Sequence, residues 1–376
     1  MLLTETQRMI RDTVRDFAQR EIAPRALAFE AAGGYPPEIL SGLAELGLMG
    51  MTAPADYGGA EADQVSYALA LMELAAGDGG LSTLVSVHNT LVISALLAEG
   101  TGAQKARFLP ALCRGEIIGA FALTEAGAGS DASAIRTRAV PDGAGGWRLT
   151  GSKQFITSGR IAGLLVVFAV TEPSAGKRGL TAFLLPAGTE GFSVERVEHK
   201  LGQRASDTCA LAFDAAPLGD ELRLGAAGQG YRIALANLEA GRIGIAAQSV
   251  GMAQAALDRA VAYAKERETF GQAIIQHQAV GFRLADLAAR LEAARQLVLH
   301  AAALKDAGQP CLKEASMAKL VASETAEAVC SGAIQTLGGY GYLEEFGLAK
   351  IYRDVRVCQI YEGTSDIQRM VIARAL

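Results

Sequence analysis

Phe121-Ala122-Leu123-Thr124-Glu125-Ala126-Gly127-Ala128-Gly129-Ser130-Asp131 stands where the chain changes its period. Before it, from Thr4 to about Gly115, apolar residues recur at helical spacing, broken at Gly33-Gly34-Tyr35-Pro36-Pro37 and at Pro54-Ala55-Asp56-Tyr57-Gly58-Gly59. After it come short β-rich runs: Trp147 to Thr150, Leu164 to Val170, Leu180 to Leu185, Phe192 to Val197 and Ala210 to Phe213. Turn formers separate them, among them Pro141-Asp142-Gly143 and Pro173-Ser174-Ala175-Gly176, which predicts a compact antiparallel barrel or sandwich set between helices. Beyond Gly225 the helical period returns in stripes: Ala246 to Ala264, Leu284 to Ala301, Met317 and Leu320 with the alanines up to Val329, and Leu348 to Cys358. Each stripe is read as core packing of a helix bundle.

The 376 residues suffice for two or three domains with a substantial core. Half are hydrophobic and 20% charged, the balance of a folded globular protein, and the net charge of −5 argues against nucleic acid as a general partner. Cysteines 113, 209, 311, 330 and 358 form no C-x-x-C pair, so neither a disulfide framework nor a zinc site is expected. A reducing, cytoplasmic setting follows. No secretory signal opens the chain, and no apolar run is read as approaching a membrane span.

Five segments have residue types that could do chemistry. In the opening stretch, Gly127, Gly129 and Ser130 let backbone N–H groups approach a ligand, though a plain glycine-rich turn explains them as well. The pattern is not G-x-G-x-x-G, so a Rossmann site is not supported. Phe155 and Thr157 fall on one face of a strand and could line a flat heterocycle, or simply belong to a half-buried strand. Arg267, beside Phe270 and Gly271, has the planar fork that matches phosphate oxygens, and equally suits a salt bridge or cap. Gln335-Thr336-Leu337-Gly338-Gly339-Tyr340-Gly341 ends a helix with more glycines than a terminator needs. Gln359-Ile360-Tyr361-Glu362-Gly363-Thr364-Ser365-Asp366 places a carboxylate after an apolar run; locally it is either a solvated acid in a last helical turn or a base. His277 has no partner at a ligand spacing, and no metal site is expected.

Taken together and in this order, these segments resemble the acyl-CoA dehydrogenase family over essentially the whole chain. The resemblance rests on Phe121 to Glu125 with Gly127 to Asp131, Phe155-Ile156-Thr157, Glu239-Ala240-Gly241-Arg242, Arg267 to Gly271, Gln335 to Gly339, and Tyr361 to Ser365. Ser86 to Asn89 and Glu198 to Gly202 support it. It implies an α+β multidomain fold: an N-terminal helical domain (1–117), a central antiparallel β-barrel domain (118–222) and a C-terminal four-helix bundle (223–376), assembled as a homotetramer, a dimer of dimers.

The resemblance also implies FAD. Its ring end would meet Phe121, Leu123, Thr124, Gly129, Ser130, Phe155, Ile156 and Thr157, with the Thr157 hydroxyl near N5. Arg267, Phe270, Gln278, Gln335, Leu337, Gly338 and Gly339 would hold the adenine and pyrophosphate end from a neighbouring subunit, with Thr364 and Ser365 as further contacts. Ser130, Glu239, Arg242 and Gly363 would contact an acyl-CoA substrate, and Glu362 matches the catalytic base. The implied reaction removes an α-proton and a β-hydride from a short-chain or short branched-chain acyl-CoA, with electrons passed to electron-transfer flavoprotein. Two alternatives stand beside it: an oxidase on the same scaffold, and a non-catalytic acyl-CoA- or partner-binding protein.

Four positions refine the comparison. Many relatives carry tryptophan at the position of Phe155 and proline at that of Ala126. A minority branch supplies its base from the position of Gly241, where glycine cannot serve, and nearby Glu239 is out of register. Ser82 stands where glutaryl-CoA dehydrogenases carry a pocket arginine, which disfavours a dicarboxylyl substrate.

Overall fold

The structure, a computed structural model, describes residues 1–376. Its first helices begin where polar side chains take up free N–H groups. Thr4 and Gln7 form a reciprocal capping box at α1 (Glu5–Phe17), followed by α2 (Ala26–Ala32) and α3 (Pro37–Glu45). Asp63 caps α4 (Gln64–Gly77), and Asp78 caps α5 (Gly79–Ser86), which runs through a π-helical stretch, Val87–Ile93, into α6 (Ser94–Glu99). A second capping box, Thr101 with Gln104, starts α7 (Gly102–Cys113).

The continuous helix Gly79–Glu99 corrects one expectation. It has 21 residues, and its most apolar stretch of 18 has a mean hydropathy of 1.6, long and apolar enough for a membrane span, yet 83% of that stretch is buried inside the fold. Serines, threonines, His88 and Asn89 interrupt it, so it does not look like an apolar run; all but the partly exposed Ser94 are buried, and all are bonded locally or to neighbouring elements apart from the Ser86 hydroxyl. Its first half packs into the helical core and its second half under the sheet, and this shared burial accounts for its composition.

The middle of the chain forms one eight-stranded sheet, order β6-β7-β3-β2-β4-β5-β8 with β1 on β4. The strands are β1 (Ile118–Ala122), β2 (Arg138–Pro141), β3 (Gly146–Thr157), β4 (Ala162–Val170), β5 (Leu180–Pro186), β6 (Phe192–Val197), β7 (Thr208–Gly219) and β8 (Arg223–Leu224). Pairing is antiparallel except where β1 and β2 meet β4. The five β-rich runs of the sequence fall in β3 to β7. Strand β1 gave no alternation because all five of its residues are buried.

The C-terminal part is built on α8 (Gly230–Glu266), a short hairpin β9 (Glu268–Thr269) with β10 (Gln272–Ala273), α9 (Gln278–Asp306), α10 (Leu312–Leu337), α11 (Leu348–Val355) and α12 (Ser365–Arg374). Helix α10 keeps Ala318, Ala322, Ala326 and Val329 of its expected stripe but not its two large residues. Met317 and Leu320 are only half-buried, while Ala315, Ala318, Lys319, Ala322 and Ala326 face the core. Alanines let α10 lie close to its neighbours, and they carry Lys319 inward with them.

Candidate active site

The run after α11 is not one long helix. A 3-10 turn, Arg356–Gln359, ends it early, so Glu362 sits in the link before α12 rather than in a last helical turn. Glu362 has φ 51° and Gly363 φ 92°, consecutive left-handed residues. For glutamate this conformation is strained and persists only where the surroundings impose it. They do so here: Lys319 Nζ donates to the Gly363 carbonyl at 2.6 Å, and Gln368 Nε2 donates to the same oxygen at 2.8 Å. The Tyr361 hydroxyl is tied to Gln248 and lies 3.3 Å from Thr83 Oγ1.

The strained link aims the Glu362 carboxylate at α8. Although the residue as a whole is partly exposed, its Oε2 is sealed from solvent and has no hydrogen-bond partner. Burial pushes the carboxyl up to about 7, against the opposing pull of the Lys319 and Arg242 charges. A Cβ on Gly241 would stand 1.9 Å from Oε2, so glycine there is a condition of this carboxylate's position. Next along, Arg242 is 6% exposed, its Nε has no partner, and burial lowers its pKa. Glu239 takes another direction and accepts from Cys311 Sγ at 3.5 Å. Ala240 also lines a cavity of about 180 Å³ between α6 and α8, with Thr90, Ser94 and Asn237.

A second cluster lies on the sheet. Lys153, with a wholly buried side chain, donates to the Leu123 carbonyl at 3.0 Å and to Glu125 at 2.8 Å. Glu125 in turn accepts from the backbones of Arg136 and Thr137, and Gln154 N donates to Thr124 O at 2.9 Å. These bonds fix the Leu123-Thr124 segment against β3 just where a bulge falls between Lys153 and Ile156. The bulge puts Phe155 at φ 59° and leaves it 61% exposed, so its ring is aimed by the bulge rather than by alternation alone. Thr157 and Thr124 are partly exposed, and Gly129 and Ser130 are exposed. Phe121 and Ile156 are buried; the Phe121 ring packs on Phe168, with centroids 4.8 Å apart, and belongs to the sheet core.

A third region surrounds the end of α10. A cavity of about 480 Å³ is lined by Arg267, Thr269, Tyr263 and Gln335 to Tyr340. Cβ atoms on Gly338 and Gly339 would meet nothing within 4 Å, so their backbone is open to a ligand. At the β9–β10 turn Phe270 has φ 52° and is 98% exposed. Leu337 is buried, and Gln278 is exposed at the start of α9 outside the cavity lining. Thr364 caps α12, and the Ser365 hydroxyl is buried without a partner.

These features fit FAD: a strained, exposed aromatic beside free hydroxyl and amide groups for a flat ring, and a cavity with an arginine and bare glycine backbone for a pyrophosphate. Three of the seven left-handed non-glycine residues, Phe155, Phe270 and Glu362, lie in the three regions. Sequence reasoning missed Lys319, Lys153 and Gln368. A lysine in an alanine stripe at helical spacing was the available signal for the first.

This fold with these sites defines a flavin-dependent oxidoreductase. The chain belongs to the acyl-CoA dehydrogenase family, whose N-terminal, middle and C-terminal domain models match residues 4–116, 120–216 and 228–376. Members of the family use FAD. An acyl-CoA dehydrogenase of Bacillus subtilis (strain 168) is 46% identical over 376 residues, 100% of this chain and 99% of the relative. The caffeyl-CoA reductase–Etf complex subunit CarC of Acetobacterium woodii is 42% identical over 377 residues, 100% and 99% of the two chains. Among solved structures, butyryl-CoA dehydrogenase from Megasphaera elsdenii superposes with a TM-score of 0.97 at 41% identity, covering 100% of this chain and 99% of that one.

Proposed function

We propose that this protein dehydrogenates a short-chain, straight or branched acyl-CoA to the trans-2-enoyl-CoA, with Glu362 as the base. The observation that carries the reading is the Glu362 carboxylate: its Oε2 sealed and unpaired, its pKa raised to about 7, and the group aimed at the bare backbone of Gly241, where a Cβ would collide with it. Glu362 takes the α-proton, and its backbone N–H is the chain's donor to the thioester oxygen on which charge develops. Bound FAD supplies the acceptor for the β-hydrogen and its electron pair. Phe155, Thr157 and the Leu123-Thr124 segment bind the ring end, and Ser130 and Arg242 hold the CoA part. The absence of charge at Ser82, whose hydroxyl donates to the Gly79 carbonyl at 2.8 Å, supports a monocarboxylic acyl group.

The wide cavity of the α10 end is lined wholly by C-terminal residues. This supports an FAD whose adenine and pyrophosphate end is bound by Arg267, Gln278 and Gln335 to Gly339 of a neighbouring subunit, within a homotetramer. Electron-transfer flavoprotein is the acceptor we assign, a reading supported by the Etf-complex relative. Five unpaired cysteines support a reducing, cytoplasmic location.

The test is anaerobic bleaching of the bound flavin by acyl-CoA esters of graded length and branching. Butyryl-CoA or a short branched ester should bleach it fastest, and Glu362→Gln should slow bleaching about 10³-fold. Bleaching of that variant at the wild-type rate overturns the base assignment. Hydrogen peroxide formed in air at the rate of turnover overturns the assigned acceptor in favour of an oxidase.

A further inference from the structure

Three lysines of this chain are essentially buried, and two of them are neutralised. Lys153 meets Glu125 at 2.8 Å, and Lys350 meets Asp78 at 2.7 Å and Asp354 at 2.5 Å. Lys319 is 0% exposed and has no carboxylate within ion-pair distance; its one hydrogen bond goes to a backbone oxygen, Gly363 O, at 2.6 Å. An ammonium buried on a single carbonyl is a poor stabiliser, since desolvation outweighs one charge-assisted bond. Its placement calls for another reason, and the residue it holds adjoins Glu362.

We infer that Lys319 is a positioning residue for the base, pinning the left-handed Glu362–Gly363 link through the Gly363 carbonyl and setting a positive charge beside the Glu362 carboxylate. The inference rests on the reading of Glu362 as the base. Two consecutive left-handed residues need tethers, and Lys319 supplies one from α10, while Gln368 supplies the other from α12. The charge matters because Oε2 lacks any hydrogen bond that could stabilise its ionised form. Only nearby charge does so. The charged and titratable groups that face it are Arg242 from α8, Tyr67 from α4 and Lys319 from α10; Glu239 acts on Arg242, and Cys358, on the base's own segment, acts on Lys319. Lys319 is the larger of the two cationic influences on Glu362, ahead of Arg242. Burial lowers Lys319 itself to about 8, so its charge is in place over the range in which Glu362 ionises.

The test uses the FAD-loaded protein with butyryl-CoA as the probe, following anaerobic flavin reduction against pH. Reduction needs ionised Glu362, so its rate rises with pH through that group. In Lys319→Met this acid limb should move up by about one pH unit, the scale set by removing one opposite charge nearby. Above the limb the saturating rate should fall at least about tenfold while the concentration for half-saturation changes little, because substrate binding is untouched. Flavin content and urea midpoint should be retained. Lys319→Gln, which keeps a donor for the Gly363 carbonyl but no charge, should show the shifted limb with a smaller loss of rate; it carries the test should the methionine variant not fold.

A carboxyl infrared titration, taken as the difference between each protein and its Glu362→Gln counterpart, should show the same shift without turnover. An unmoved limb and an unmoved carboxyl band in a folded Lys319 variant overturn the inference. Wild-type reduction by Glu362→Gln alone would instead overturn the base assignment on which it rests.

Discussion

Two clusters of buried charge lie near one another in this molecule, and they are built on opposite rules. Around Lys350 every charge is answered: the ammonium meets Asp78 and Asp354, Asp78 also accepts from the Tyr35 hydroxyl at 2.7 Å and caps α5, and Asp354 accepts from Gln203 N. The cluster joins the N-terminal helices, the link after β6 and α11, a cross-domain bolt. Around Glu362 the charges are left open. The carboxylate has an idle oxygen, Arg242 an idle Nε, and Lys319 only a carbonyl. Satisfied burial holds parts together, whereas unsatisfied burial holds a group ready to change its protonation.

The largest way to break this comparison is at the closed cluster. Lys350→Met leaves Asp78 and Asp354 facing each other in the interior without a cation, and should lower stability by about 3 to 5 kcal/mol in urea unfolding. A loss below about 1 kcal/mol would show that the cluster is not the bolt described. The pH sense follows from the two carboxylates, which hold the Lys350 ammonium above its ordinary range. Its contribution is therefore complete at neutral pH and disappears only as pH rises far into the alkaline range, through the folded-state value.

The open cluster should behave in the opposite way. Glu362 has a folded-state value of about 7 against 4.5 for the ordinary side chain, so between these the folded state binds more protons than the unfolded one. Stability falls as pH rises through that window, and the ionised carboxylate costs about 3 kcal/mol above it. Glu362→Gln should accordingly raise stability by up to about 3 kcal/mol at pH 8 and change it little near pH 4.5. Urea unfolding of both proteins at the two pH values checks the sign. A stability gain independent of pH would mean that glutamine packs better and that ionisation is not what the site resists.

How much of this was legible beforehand differs between the clusters. Glu362 and Gly241 could be read only through the family resemblance, because the local residues leave Glu362 either a solvated acid or a base and give Gly241 no role of its own. Their contact could not: 121 positions of chain separate a glycine from the carboxylate that requires it, and only the packing of α8 against the α12 link reveals that a Cβ on Gly241 would stand 1.9 Å from Oε2. The helices of the C-terminal part were legible from periodicity, but the inner face of α10 only in part: Ala318, Ala322, Ala326 and Val329 of the expected stripe are buried, whereas Met317 and Leu320 are half-buried. Periodicity gives weight to Met317 and Leu320 as apolar, whereas close helix packing selects Ala315, Ala318 and Ala322 as small. Lys319 was therefore hidden by its own chemistry, since a lysine counts as surface in any hydropathy reading. Strands β3 to β7 carried β-rich runs with turn signals, while β2 and β8, with four and two residues, are too short for a pattern.

The smallest effect decides which rule governs the residues just past the base. Thr364 was read as a contact to FAD, and the fold gives it another task, accepting from Ile367 N at 3.4 Å as the cap of α12. That bond is long, so removing it should cost at the low end for a cap, about 0.5 kcal/mol. Helix α12 also supplies Gln368, one of the two tethers on the Gly363 carbonyl, so a frayed first turn would loosen the link that Lys319 holds from the other side. If Thr364 serves only as a cap, Thr364→Ala should retain its flavin through gel filtration, lose this small increment of stability, and reduce the flavin within about threefold of the wild-type rate. Loss of flavin with an unchanged urea midpoint would place Thr364 among the open groups that wait for a ligand, and would extend the Glu362 cluster one residue further along the chain.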